Sequence, residues 1–163
     1  MRVLMFGWEF PPHIAGGLGT ACDGMTKGLA ANDVEVLFVM PSASGDEDES
    51  AVKIINASDV KVDVVDHNTE DFLGKVQFVQ VGSNMVPYVD PDDFYRIVEE
   101  EKHCTREEFS IRYGQKYKFS GEYGSILVEE VARSAIVGAS IARQYEGQFD
   151  VIHAHDWLTF LAG

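Results

Sequence analysis

The stretch Gly7-Trp8-Glu9-Phe10-Pro11-Pro12-His13-Ile14-Ala15-Gly16-Gly17-Leu18-Gly19-Thr20 constrains this chain more than any other. It follows the apolar run Val3-Leu4-Met5-Phe6, too short and too closely flanked by turn formers to be anything but a buried strand. It leads into Leu18, Ala21, Cys22, Met25 and Leu29, whose spacing marks one face of an amphipathic helix. The unit is therefore strand, glycine-rich loop, helix. Pro11 and Pro12 keep the loop out of helical geometry until Ala15. Gly16 and Gly17 then bare the backbone N–H groups at the positive end of the helix, which suits an anion such as phosphate. The plainer alternative is a tight turn in which glycine only relieves crowding. Neither common phosphate motif applies. Cys22 stands where G-x-G-x-x-G would place its third glycine, and no Gly-Lys-Ser/Thr follows.

Val34 to Met40 forms a second strand, ended by Pro41 and joined to the helix through Ala31-Asn32-Asp33. Two strands with an intervening helix make a right-handed βαβ unit, hence an α/β chain with a mainly parallel sheet. Ser42 to Ser50 is acidic and aperiodic; it misses the twelve-residue calcium pattern and reads as a solvated loop. Val52 to Ile55, Val60 to Val65 and Val76 to Val81 are further β-rich runs, compatible with a meander or with an edge addition. Pro91-Asp92-Asp93 opens an acidic helix reaching about Lys102. Beyond it, Phe109, Tyr113, Tyr117 and Phe119 lie among cationic side chains, either to stack on sugar faces or to anchor a surface segment. The strongest helix runs from about Gly124 to Tyr145. Its apolar stripe is Val128, Val131, Ala132, Ala135, Ile136 and Ala139, its polar side pairs Glu129 with Arg133, and Glu146-Gly147 stops it.

A second constellation closes the chain: Asp150-Val151-Ile152-His153-Ala154-His155-Asp156-Trp157. Val151 and Ile152 predict a short buried strand. His153 and His155, two apart, share one face, and Asp156 is placed to cap the helix begun by Trp157. Polar residues at the carboxyl end of a parallel strand sit where open α/β sheets bind ligands, and the Gly16-Gly17 loop belongs to the same edge. Three roles compete for the histidines: a metal pair, a structural pair bonded to carbonyls, or a neutral imidazole on a substrate hydroxyl. The spacing departs from His-x-His-x-Asp-His, and His13, His67 and His103 are scattered, which weakens the metal reading.

A net charge of −14 argues against nucleic acid as a partner, since neutralising phosphates needs a basic face. No apolar run approaches membrane-spanning length, and residues 1 to 7 show no signal-peptide pattern, so the expected compartment is the cytoplasm. Cys22 and Cys104 are isolated, and Cys22 on the apolar helix face is expected in the core. The final Trp157-Leu158-Thr159-Phe160-Leu161-Ala162-Gly163 resembles a helix cut within its first turns, which suggests a piece of a longer protein.

Arg2-Val3-Leu4-Met5-Phe6-Gly7-Trp8-Glu9-Phe10-Pro11-Pro12 with Gly16-Gly17-Leu18-Gly19, followed at the far end by Val151-Ile152-His153-Ala154-His155-Asp156-Trp157, resembles the amino-terminal domain of glycogen and starch synthases. Gly121-Glu122-Tyr123-Gly124 and Glu130-Val131-Ala132-Arg133 add to the likeness. The resemblance implies a retaining glucosyltransferase of the GT-B fold, with residues 1–163 as a Rossmann-like, doubly wound domain and a carboxyl-terminal nucleotide-sugar-binding domain outside this chain. It implies transfer of glucose from ADP- or UDP-glucose to an α-1,4-glucan without a metal or other cofactor. By the same resemblance His155 and Asp156 are the catalytic residues, with His155 bonding the transferred glucose. Gly16 and Gly17 approach the donor phosphates, and His153, His13 and Glu9 complete the substrate-binding set. One position departs: the family commonly reads Lys-x-Gly-Gly-Leu, and Ile14 stands at the lysine with His13 beside it. That leaves open a different donor or acceptor, or a sugar-binding module without turnover.

Overall fold

The computed structural model describes residues 1–62, 116–124 and 127–163. The expected strand at Val76 to Val81, the acidic helix from Pro91, and Phe109, Tyr113 and Cys104 lie outside them. Four strands form one sheet: β1 (Arg2–Phe6), β2 (Glu35–Met40), β3 (Lys53–Asn56) and β4 (Val151–Ala154). Their order is β3-β2-β1-β4 and every pairing is parallel. Val52 to Ile55 therefore belongs to an added parallel strand rather than a meander. The twelve residues from Pro41 to Val52 are long enough to carry the chain back for parallel entry.

Alternation in the two inner strands explains why helices cover both faces. Val3, Met5, Val36, Phe38 and Met40 point one way, where α1 (Gly17–Ala30) packs with Cys22, Met25 and Leu29. Leu4, Phe6, Leu37 and Val39 point the other way, against Ile136, Val137 and Ile141 of α2 (Leu127–Gln144). The sheet is doubly wound, as a run of strands buried on both faces requires. Tyr117 and Phe119 are buried in the α2-side core, so these two aromatics anchor the fold.

Several local expectations need correction. Ala21 is exposed, and Gly19 and Thr26 are buried in its place, because the inward face of α1 is rotated by part of a turn. Val128 is 52% exposed; Leu127, Val137 and Ile141 take the core positions instead. The helix is described over Leu127–Gln144, and Gly147 at φ 75 follows its end. Val151 and Ile152 are 44% and 51% exposed, because β4 pairs with β1 alone and no described element covers its other edge. After β4 the chain makes a 3-10 turn at Trp157–Thr159 rather than the start of an α-helix. The Glu129–Arg133 pair is present.

Gly24 and Gly28 sit exposed in the interior of α1, and a Cβ at either would meet nothing within 4 Å. Replacing both with alanine is expected to stabilise the protein by about 0.5–1 kcal/mol each, through lower unfolded-chain entropy. A thermal melt should register a rise of roughly 2–8 °C. An unchanged or lower midpoint would contradict the open helix face.

Candidate active site

The sheet order creates one reversal. From β1 the chain moves outward to β2 and β3, then returns to the opposite side of β1 for β4. The loops leaving β1 and β4 therefore lie at the point of reversal on the carboxyl edge of the sheet, the usual ligand position in such folds. The two segments meet through the backbone: His155 N donates to Phe6 O at 2.9 Å. His153 is in register with Met5, whose side chain faces α1, so period-2 alternation directs His153 and His155 toward the face where α1 begins. The charges of Glu9 and Asp156 both reach Cys22 inside α1. Burial first, then those two charges, pushes its thiol up to about 12. Cys22 is a free, fully buried thiol and inert at neutral pH.

The glycine-rich loop separates into two functions. Gly7 and Gly19 are there for space: an added Cβ would lie 2.1 Å from the Phe38 ring at Gly7 and 2.2 Å from Ile14 Cγ2 at Gly19. Gly17 is different. A Cβ there would meet nothing within 4 Å, so crowding does not account for it. Gly16 is the N-cap of α1 with no side-chain cap, and among the described residues neither Gly16 N nor Gly17 N has an acceptor. Glu9 is turned inward. It is 5% exposed, and its oxygens accept from Ala15 N at 2.8 Å and Gly19 N at 2.9 Å, closing the first turn of α1 from below. His13 is exposed and faces the acidic loop, with Nε2 3.0 Å from Asp46 Oδ1.

His153 and His155 are stacked, ring centroids 5.5 Å apart, with His153 Nε2 3.3 Å from His155 Nδ1. One nitrogen must donate and the other accept, so this contact exists only while one of the facing nitrogens is unprotonated. No group of three or more His, Cys, Asp and Glu side chains placed to hold a metal occurs among the described residues. The backbone at Asp156 is strained, at φ 72 and ψ 161, a region nearly reserved for glycine that costs on the order of 1–3 kcal/mol. Its carboxylate accepts from Trp157 N, and Thr159 Oγ1 donates to the carbonyls of His155 and Asp156 at 2.9 and 3.1 Å. These bonds hold the strained turn and aim His155. Thr159, fully enclosed, gave no sign of this role in the sequence.

Burial, and then the neighbouring His155, lowers the pKa of His153 below its ordinary value. The unfolded chain therefore takes up this proton first as pH falls below about 6.5. Stability tied to neutral His153 is complete above that pH and is lost toward the acid side as the folded group titrates. A ring-proton NMR titration should give His153 a midpoint below about 6.5. A midpoint at or above the free-histidine value would refute the buried, paired geometry.

With this geometry in view, the chain can be compared with known proteins. A family model described as the starch synthase catalytic domain matches residues 2–163. The chain belongs to that family. Glycogen synthase from two Mycobacterium tuberculosis strains is 40% identical over 67 residues, covering 36% of this chain and 16% of the relative. An uncharacterized glycosyltransferase of Methanocaldococcus jannaschii, MJ1607, is 47% identical over 36 residues, 22% of this chain and 9% of that protein. These matches thus span a small part of the relatives' length. No solved structure gives a significant match. As a member of that family, the chain is a glycogen/starch synthase-type glycosyltransferase domain. No helix among the described residues is long and apolar enough to cross a membrane.

Proposed function

We propose that this chain forms one wall of the active-site cleft of a retaining glucosyltransferase that extends an α-1,4-glucan from ADP- or UDP-glucose. A second, nucleotide-binding domain of the full-length protein supplies the other wall. The reading rests chiefly on the bare amides of Gly16 and Gly17, beside a β4 turn that His155 N fastens to the end of β1. Amides at a helix N-terminus suit the donor's diphosphate, and a half-buried imidazole suits a hydroxyl of the transferred glucose. Glu9 shapes the loop from beneath rather than touching substrate. Asp156 fixes the His155 turn through its own strained backbone. Preorganised amides and cations offset charge on the leaving phosphate, with no metal ion required. The buried free thiol of Cys22 suits a reducing compartment, in keeping with the cytoplasm.

Three observations favour a second reading. Ile14 supplies no cation, His13 is engaged by Asp46, and the acidic loop approaches the same edge, all of which disfavour an anionic ligand. A module that binds the neutral glucan alone fits these features. Radiolabelled glucose transfer to glycogen by the full-length protein separates the two, and Gly17→Ala sharpens the test. The added methyl has room, so the thermal midpoint should hold while the donor KM rises about tenfold. Absence of transfer from both donors, with calorimetric binding of maltooligosaccharides retained, would establish the module instead.

A further inference from the structure

A second carboxylate is buried outside the proposed site. Glu130, in the first turn of α2, is 5% exposed. It accepts from Ser120 N at 2.6 Å, Ser120 Oγ at 3.1 Å and Gly121 N at 3.2 Å. Core packing alone would be served better by an apolar side chain, since a buried carboxylate is tolerated only when hydrogen bonds replace its water. The charge therefore has a holding task, and what it holds is the turn at Ser120 and Gly121.

Two other elements grip the same segment. Trp8 Nε1 donates to Gly121 O at 3.1 Å, and Phe119 N donates to Ser58 Oγ at 3.1 Å, which in turn bonds Pro41 O. Gly121 adopts φ 71, and a Cβ there would lie 3.3 Å from Ser42 Cβ. The segment thus passes across the residues leaving β1, β2 and β3, at the carboxyl edge of the sheet. Trp8, 1% exposed, packs with Leu127 and Val131 of α2, with Leu158 after β4, and with Leu18 at the start of α1. It adjoins Glu9, the residue that closes the first turn of α1. A continuous chain of contacts runs from Glu130 through the turn and Trp8 to the loop carrying Gly16 and Gly17.

We propose that Glu130 is a positioning residue for the phosphate-facing loop, acting through the Ser120–Gly121 turn and Trp8. What the loop binds rests on the function proposed above; the mechanical link does not.

Glu130→Gln in the full-length protein tests it. A carboxamide keeps one acceptor oxygen and turns an NH2 toward an N–H or O–H donor, so part of the three-bond grip is lost. The donor KM should rise about tenfold while kcat changes less, the pattern of a loosened binding loop. In a background where Trp157 and any tryptophan outside residues 1–163 are replaced by Phe, Trp8 is the sole tryptophan, and its emission should shift to longer wavelength when Glu130 is replaced. Val137→Ala, a core cavity away from this chain of contacts, controls for stability loss alone and should leave donor KM and Trp8 emission unchanged. Ser120→Ala removes a single bond and should show both effects in weaker form if Glu130→Gln does not fold. A lower thermal midpoint with unaltered donor KM and unaltered Trp8 emission would overturn the proposal. Should the wild type transfer no glucose, the enzyme reading fails, and the Trp8 emission still decides whether Glu130 acts on the loop.

Discussion

Gly7→Ala should lower the stability of this protein by about 3 kcal/mol, the upper end of the range for forced overpacking. The methyl would lie 2.1 Å from Phe38 Cζ and 2.7 Å from Cε2, well inside van der Waals contact. The ring has nowhere to go: Phe38 is fully buried, with Phe10 tilted against it at a centroid distance of 5.0 Å. The backbone cannot yield either, because Gly7 N donates to Val39 O at 2.9 Å and extends the β1–β2 pairing by one residue. For a domain of this size the midpoint should fall by roughly 6–12 °C. Shortening the ring identifies the cause. Gly7→Ala combined with Phe38→Leu should lose less than the sum of the single changes, by about 1 kcal/mol or more. Additive losses would mean that the ring is not what Gly7 accommodates.

This clash shows what sequence can and cannot supply. A glycine after an apolar run announces a close approach but not the partner, which lies 31 positions away in another strand (38 minus 7). Short-range signals carried far. The apolar runs located β1 and β2, the stripes located α1 and α2, and the placing of glycines and histidines after strands anticipated the shared edge that the sheet order confirms. Features set by the third dimension stayed hidden. Val151 and Ile152 look like core residues by type, and only strand order shows that β4 pairs with β1 alone among the described strands. Glu9 reads by resemblance as a substrate-binding residue and Glu130 as part of a family-like motif, yet each is turned inward onto backbone amides that no periodicity reveals. The partner of His13 is an aspartate in a loop after a different strand.

His155→Ala should reduce kcat for glucose transfer roughly 100- to 1,000-fold, the usual cost of removing one preorganised polar contact to a reacting group. The fold should hardly notice. Residue 155 is tied into the structure through its backbone, N to Phe6 O and O from Thr159 Oγ1, and alanine keeps both bonds. What the fold loses is a half-exposed ring stacked on His153, so the thermal midpoint should move by no more than about 3 °C. Gln at this position, whose amide N–H can reach toward the place of an imidazole N–H, should recover part of the rate. His153→Ala should cost less than His155→Ala, since His153 lies within β4 and reaches the carboxyl edge through its bond to His155. The ranking matters more than the absolute values. If His155→Ala retains wild-type kcat while His153→Ala abolishes it, the roles within the pair are reversed. If both retain it, the paired imidazoles are structural and the chemistry lies elsewhere in the cleft.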